Sequence, residues 1–151
     1  MRLALDTNIL VYAEGVNGTP MQEAALDLIG RLRREDVFVS VQAIGELFNV
    51  LTRKASRTPE MARIVILSWR DMFSLIDTSA SVMLAAVDLA ADHQLSIWDA
   101  IVMAAAAEGG CRLLLSQDLQ DGFTWGGVTV TNPFSSAPHP LLTQIFEARQ
   151  Q

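Results

Sequence analysis

Hydrophobic positions along the chain alternate between short unbroken apolar runs and longer stretches with helical spacing. Arg2-Leu-Ala-Leu-Asp6 reads as a short buried strand ending in an acid. Met21 to Arg34 carries apolar residues at Ala25, Leu28, Ile29 and Leu32, a helical period. Val37 to Ser40 is a second strand. Ser40 is placed to cap a helix running to about Lys54, with Val41, Ile44, Leu47, Phe48 and Leu51 on one face. Thr58-Pro59 opens the next helix, since proline is tolerated at the first helical position, and it ends near Phe73 before a third strand, Ser74 to Ile76. Ser79 to His93 and Ser96 to Glu108 read as helices, the latter stopped by Gly109-Gly110. Arg112 to Ser116 and Val128 to Thr131 are the last two strands, and a short helix is expected from Leu141 to Ala148. No internal repeat or linker interrupts the order.

Short apolar strands alternating with helices specify an α/β fold with a mostly parallel sheet covered on both faces. The expected architecture is a three-layer α/β/α sandwich around four to five strands, with a domain over residues 1–134 and a C-terminal tail over 135–151. In such sheets ligands bind at the carboxyl ends of the strands, near the point where strand order reverses.

Composition narrows the setting. Half of the 151 residues are apolar and 19% are charged, which argues against disorder and for one domain with a real core. A single cysteine, Cys111, excludes an internal disulfide or multi-cysteine zinc site and fits a reducing, cytoplasmic compartment. Met1 and Arg2 lead to Asp6 without a secretory apolar stretch, and the run from Gly122 to Phe146 is too broken by Gly, Pro, Ser and Thr to span a membrane. No membrane association is expected. The net charge of −6 speaks against nucleic acid, yet eight of the eleven basic residues fall between Arg31 and Arg70. Two divalent cations on an acidic site would also bring −6 to −2. Charge permits a nucleic-acid substrate without suggesting one.

Four acids map to one edge of the expected sheet. Asp6 ends the first strand and Glu46 lies early in the helix after the second. Asp118 sits just past the fourth strand, and Asp99 begins the helix that returns to it. Like charges placed so closely demand protons or cations, and hard oxygen ligands without His or Cys suit Mg²⁺ or Mn²⁺. Each acid also has an ordinary reading. Asp6-Thr7-Asn8 is good turn chemistry, and Glu46 shares a polar stripe with Asn49 and Arg53. Asp99 completes a near capping box with Ser96, though it is the only Asp, Glu, Lys or Arg between Asp92 and Glu108. Asp118 and Asp121 suit a loop.

The ordered set resembles PIN-domain ribonucleases, in particular the VapC-type toxins of bacterial toxin–antitoxin pairs. The resemblance runs from Leu3 to Phe134, through Leu5-Asp6-Thr7-Asn8-Ile9-Leu10, Gly45-Glu46-Leu47, Ile97-Trp98-Asp99-Ala100, Leu115-Ser116-Gln117-Asp118-Leu119 and Asn132-Pro133-Phe134. The acids are spaced by 40, 53 and 19 residues. The resemblance implies a PIN-like fold, with Asp6, Glu46, Asp99 and Asp118 as a catalytic quartet coordinating Mg²⁺ or Mn²⁺. It implies supporting roles for Asn8 and Ser116, and for Asp121 as an optional further acid. Gln117 departs from the acid that related toxins often carry there.

What the resemblance implies in function is metal-dependent hydrolysis of RNA phosphodiesters that inhibits translation, with a cognate antitoxin and a second copy of the chain as partners. Arg53, Lys54 and Arg57 are candidate phosphate contacts, although they read slightly more readily as complementing the C-terminus of their helix. Trp69, Met72 and Phe73 could serve an interface but read more readily as core. An RNA-processing or scaffolding PIN protein outside a toxin pair is the alternative. A haloacid-dehalogenase-like phosphatase would want an acid where Asn8 stands, and a receiver-like domain would want an acid pair and a late lysine, whereas Lys54 is the only lysine.

Overall fold

A computed structural model describes residues 1–151. The elements are β1 (Leu3–Leu5), α1 (Thr7–Ala13), α2 (Thr19–Gly30), β2 (Val37–Ser40), α3 (Val41–Arg53), α4 (Pro59–Met72) and β3 (Ser74–Ile76). After them come α5 (Ala80–His93), α6 (Ile97–Glu108), β4 (Leu113–Leu115), β5 (Thr124–Trp125), β6 (Val128–Thr131) and α7 (Pro140–Gln150). The six strands form one sheet in the order β3-β2-β1-β4-β6-β5, parallel throughout except for β5, which pairs antiparallel with β6.

Side-chain alternation along β1 separates two apolar layers. Leu3 and Leu5 join Val37, Val39, Leu113 and Leu115 under α1, α2, α3, α4 and α7. Ala4 faces the other way, with Leu114, Val128 and Val130 under α5 and α6. A strand pleat with period two, buried on both faces, is the reason the two central strands β1 and β4 carry no polar residue. Trp69 and Phe73 belong to the first layer, with Met72 packed against it, so none of the three is a free surface.

The caps follow from sequence. Ser40, Thr58, Ser79 and Ser96 each accept a bond from the N–H three residues on, at 3.1, 3.2, 3.2 and 3.1 Å. Three features go beyond the sequence reading. Helix α1 follows Asp6 at once where a turn was the ordinary alternative. Helix α2 starts at Thr19 rather than Met21 and ends at Gly30, short of the expected Arg34. The sixth strand, β5, comes from a hairpin at Gly126-Gly127, whose φ values of 59° and 81° only glycine adopts freely.

The last helix is docked on the domain: Leu142 and Phe146 enter the first layer, and Arg31 stacks 3.7 Å over the Phe146 ring. Arg149 donates to the carbonyls of Gly30 and Leu32. No helix is long and apolar enough to cross a membrane.

Candidate active site

Strand order reverses between β1 and β4, where the chain runs outward through β2 and β3 and then returns to the other side. Leu5 and Leu115 are aligned there, so the next residues, Asp6 and Ser116, leave neighbouring strands side by side. Asp6 is buried and caps α1, its Oδ1 accepting the Thr7 N–H at 2.8 Å. Its Oδ2 accepts the Ser116 hydroxyl at 2.7 Å and the Asn8 side-chain amide at 3.3 Å. Asn8 in turn donates to Ser116 Oγ at 3.2 Å and accepts the Gln117 N–H at 3.2 Å. The N–H groups of Asp118 and Leu119 both lie 3.2 Å from the same Ser116 Oγ. One hydroxyl thus holds Asp6 and shapes the loop that carries Asp118.

Glu46, half-buried on α3, is held at both oxygens. Thr7 donates to Oε2 at 2.5 Å, and the Gln42 amide donates to Oε1 at 3.0 Å from one helical turn back. Asp99 stands in the first turn of α6, its N–H bonded to Ser96. Asp118 is exposed beside Glu46 on the rim of a cleft of about 670 Å³ that Thr7, Tyr12, Asn49 and Lys54 also line.

The electrostatics record the convergence. Burial pushes the Asp6 carboxyl up to about 6, partly offset by the Ser116 and Thr7 bonds, and the charges of Asp99 and Glu46 push it further. Burial also raises Asp99, aided by Glu46 and Asp118 after its bond to Ser96 is counted against it. Tyr12, whose hydroxyl donates to Gln117 Oε1 at 2.6 Å, is raised by burial and by the charge of Asp118. None of the four acids forms an ion pair; the salt bridges of the chain lie elsewhere. Their oxygens do not close into a ready cage, since no three His, Cys, Asp or Glu side chains gather tightly enough to hold an ion as they stand. The chemistry of the donors nevertheless fits a hard divalent cation: carboxylate oxygens only, one of them desolvated, no basic side chain neutralising them.

The other candidates divide. Asn8 and Ser116 are buried in the Asp6 network. Asp121 lies outside it, where its Oδ1 accepts the Asn132 N–H at 3.0 Å and braces the loop before Pro133. Lys54 faces the cleft, while Arg53 Nε is bonded to Asn49 at 2.8 Å on the exposed side of α3. Arg57 is committed elsewhere: it donates to the Glu14 carboxylate at 3.0 Å and to the Glu14 carbonyl at 2.7 Å. Sequence reasoning passed over Thr7, Gln42 and Tyr12. The i,i+4 spacing of Gln42 and Glu46 was the readable signal for one of them.

A family model described as the PIN domain matches residues 3–120. Among solved structures, VapC20 of Mycobacterium tuberculosis, a toxin that cleaves the sarcin–ricin loop, is similar with a TM-score of 0.64 and 19% identity, covering 77% of this chain and 89% of that one. A toxin–antitoxin complex from Klebsiella pneumoniae gives 0.60 at 21% identity, over 85% and 96% of the two chains. VapBC2 of Rickettsia felis, bound to a fragment of its promoter DNA, gives 0.63 at 17% identity, over 86% and 97%. No curated protein matches in sequence. At such identities the structural neighbours speak for the fold.

Proposed function

This chain belongs to the PIN domain family, and on that premise we propose that it is a divalent-metal-dependent endoribonuclease, the toxin of a toxin–antitoxin pair that inhibits translation. The observation that carries the reading is the convergence of Asp6, Glu46, Asp99 and Asp118 without a basic partner, with Asp6 made less acidic first by its burial and further by the charges of Asp99 and Glu46. A cluster of that kind is built for a cation from outside the chain.

These four side chains would hold Mg²⁺ or Mn²⁺. What such an ion supplies when bound is charge neutralisation and Lewis acidity toward a phosphodiester. The residues of the chain do the rest. Ser116, Asn8 and the Thr7 N–H fix the Asp6 carboxylate, and Thr7 and Gln42 fix Glu46, so the carboxylates meet the substrate with little reorganisation. Lys54 lines the same cleft, and in this reading it would meet a flanking phosphate. The overall reaction adds water across the P–O bond, leaving a phosphate monoester and an alcohol. The same reading makes an antitoxin and a second copy of this chain its protein partners, and the cytoplasm its location.

The test is cleavage of RNA in Mg²⁺ or Mn²⁺ by the wild type, Asp6→Asn and Asp99→Asn. Cleavage by the wild type alone, abolished by EDTA, supports the reading. Equal activity in all three, activity that survives EDTA, or none in any protein overturns it.

A further inference from the structure

The acids have a neighbour that neither the quartet nor its supports use. Trp98, directly before Asp99, is 57% exposed, whereas Trp69 is 6% exposed and part of the core. An indole so open beside a site is a large apolar surface left to water. It forms one wall of a cleft of about 350 Å³ whose remaining lining is Val41, Gln42, Gly45, Glu46 and Asn49, all on α3. The cleft therefore shares Glu46 with the acidic site.

Gly45 is the second, independent observation. It stands inside α3, where glycine is the poorest helix former after proline. Nothing lies within 4 Å of the Cβ it lacks, so no close packing accounts for it. Its effect is to leave bare helix backbone opposite the tryptophan. The edges of the cleft are polar: the Asn49 amide NH₂ has no partner in the chain, and the Gln42 carbonyl oxygen has none either. A flat ligand with a polar edge fits this lining, and a nucleobase is such a ligand. A protein segment would sooner take the apolar groove on the other side of Gly45, between Ile44, Phe48, Ile66 and Leu67.

We propose that the cleft between Trp98 and Gly45 receives the base of a nucleotide next to the phosphodiester cut at the acids, with the indole as its stacking plate. This rests on the ribonuclease reading and adds where the RNA is gripped. Trp98 is here a binding residue, and Gly45 keeps its slot open.

The experiment compares the wild type with Trp98→Ala, Trp98→Phe and Gly45→Leu. It measures kcat and KM on single-stranded RNA of degenerate sequence in Mg²⁺. It also measures the Kd of nuclease-resistant phosphorothioate oligonucleotides, with bases and fully abasic. Trp98→Ala is expected to raise KM and the Kd of the base-bearing oligonucleotide about tenfold with kcat little changed, the scale of one base–aromatic stack. Trp98→Phe recovers most of the loss. Gly45→Leu reproduces it without lowering the thermal midpoint, and the abasic chain binds all four proteins alike. Wild-type KM in Trp98→Ala and Gly45→Leu overturns the inference while leaving the nuclease standing. So does equal weakening on the abasic chain. A wild type that cleaves no RNA removes both readings together.

Discussion

Ser116 donates a 2.7 Å hydrogen bond to Asp6 from 110 residues away, joining the ends of two adjacent parallel strands. Ser116 is fully buried, and its oxygen also receives Asn8 and the Asp118 loop. Removing it leaves several donors unsatisfied and frees the Asp6 carboxylate to turn. Ser116→Ala is expected to lower cleavage by about tenfold to a hundredfold, as loss of ligand support does elsewhere. Its unfolding free energy should fall by about 1–3 kcal/mol. Steady-state kinetics and urea titration measure the two effects, and an unchanged rate would show that Ser116 merely packs.

Thr7 plays the same part for Glu46 through its 2.5 Å bond. Thr7→Val keeps the shape and removes the donor, so we expect roughly a tenfold loss of kcat, with Thr7→Ser close to wild type. A higher Mg²⁺ requirement in Thr7→Val than in Thr7→Ser is the readout that a purely structural threonine would not give.

Asp6 carries a proton affinity shifted against the folded state. Its carboxyl sits near 6 in the fold and at 3.8 in an unconstrained chain, so the fold binds the proton more tightly. In EDTA this one group favours the folded state at low pH. Its contribution is lost as pH rises from about 4 to about 6, on the order of 3 kcal/mol. Asp6→Asn should therefore be at least as stable as the wild type at pH 7 in EDTA, although inactive, with the difference closing towards pH 4. Thermal melts across that range decide it; a constant difference between the two proteins would refute the account.

Lys54 and Arg57 should separate in opposite ways. Lys54→Ala is expected to raise KM for RNA and to reduce the slope of log affinity against log salt by about one. Arg57→Ala loses its bonds to Glu14, which is partly exposed, and costs about 1 kcal/mol of stability with KM unchanged.

Cys111 is 3% exposed, and burial holds its thiol at about 11. Iodoacetamide at pH 8 should leave the folded protein unmodified and label it fully in guanidinium chloride. Rapid alkylation of the native chain would contradict that placement.

The sheet and the amphipathic helices were legible because burial of one face imposes a period, as in α3 with Leu47 and Leu51 inward and Asn49 and Arg53 outward. Helix α1 was not. Thr7, Asn8, Ile9, Leu10, Val11 and Ala13 are all buried, so no polar face marks it, and Ile9-Leu10-Val11 imitates a strand. The hairpin strand β5 has two residues, too few for any period, although Gly126-Gly127 was the signal that names such a turn. In the site, sheet topology could assign the four acids to one edge, since that depends only on strand order. The hydrogen bonds of Thr7 and Ser116 depend on register and helix phase. An isolated Asp-Thr-Asn does not encode those.

The alignment of Leu5 with Leu115 has a consequence in time as well as in space. Asp6, Glu46 and Asp99 are all synthesised before β4, yet the strand that seats Ser116 against Asp6 lies between β1 and β6 and must enter the middle of the sheet. Contacts spanning so much chain form late, because the loop must close before they can help. A ribosome carrying this polypeptide therefore holds an incomplete acidic cluster until β4 and the loop that bears Asp118 have emerged.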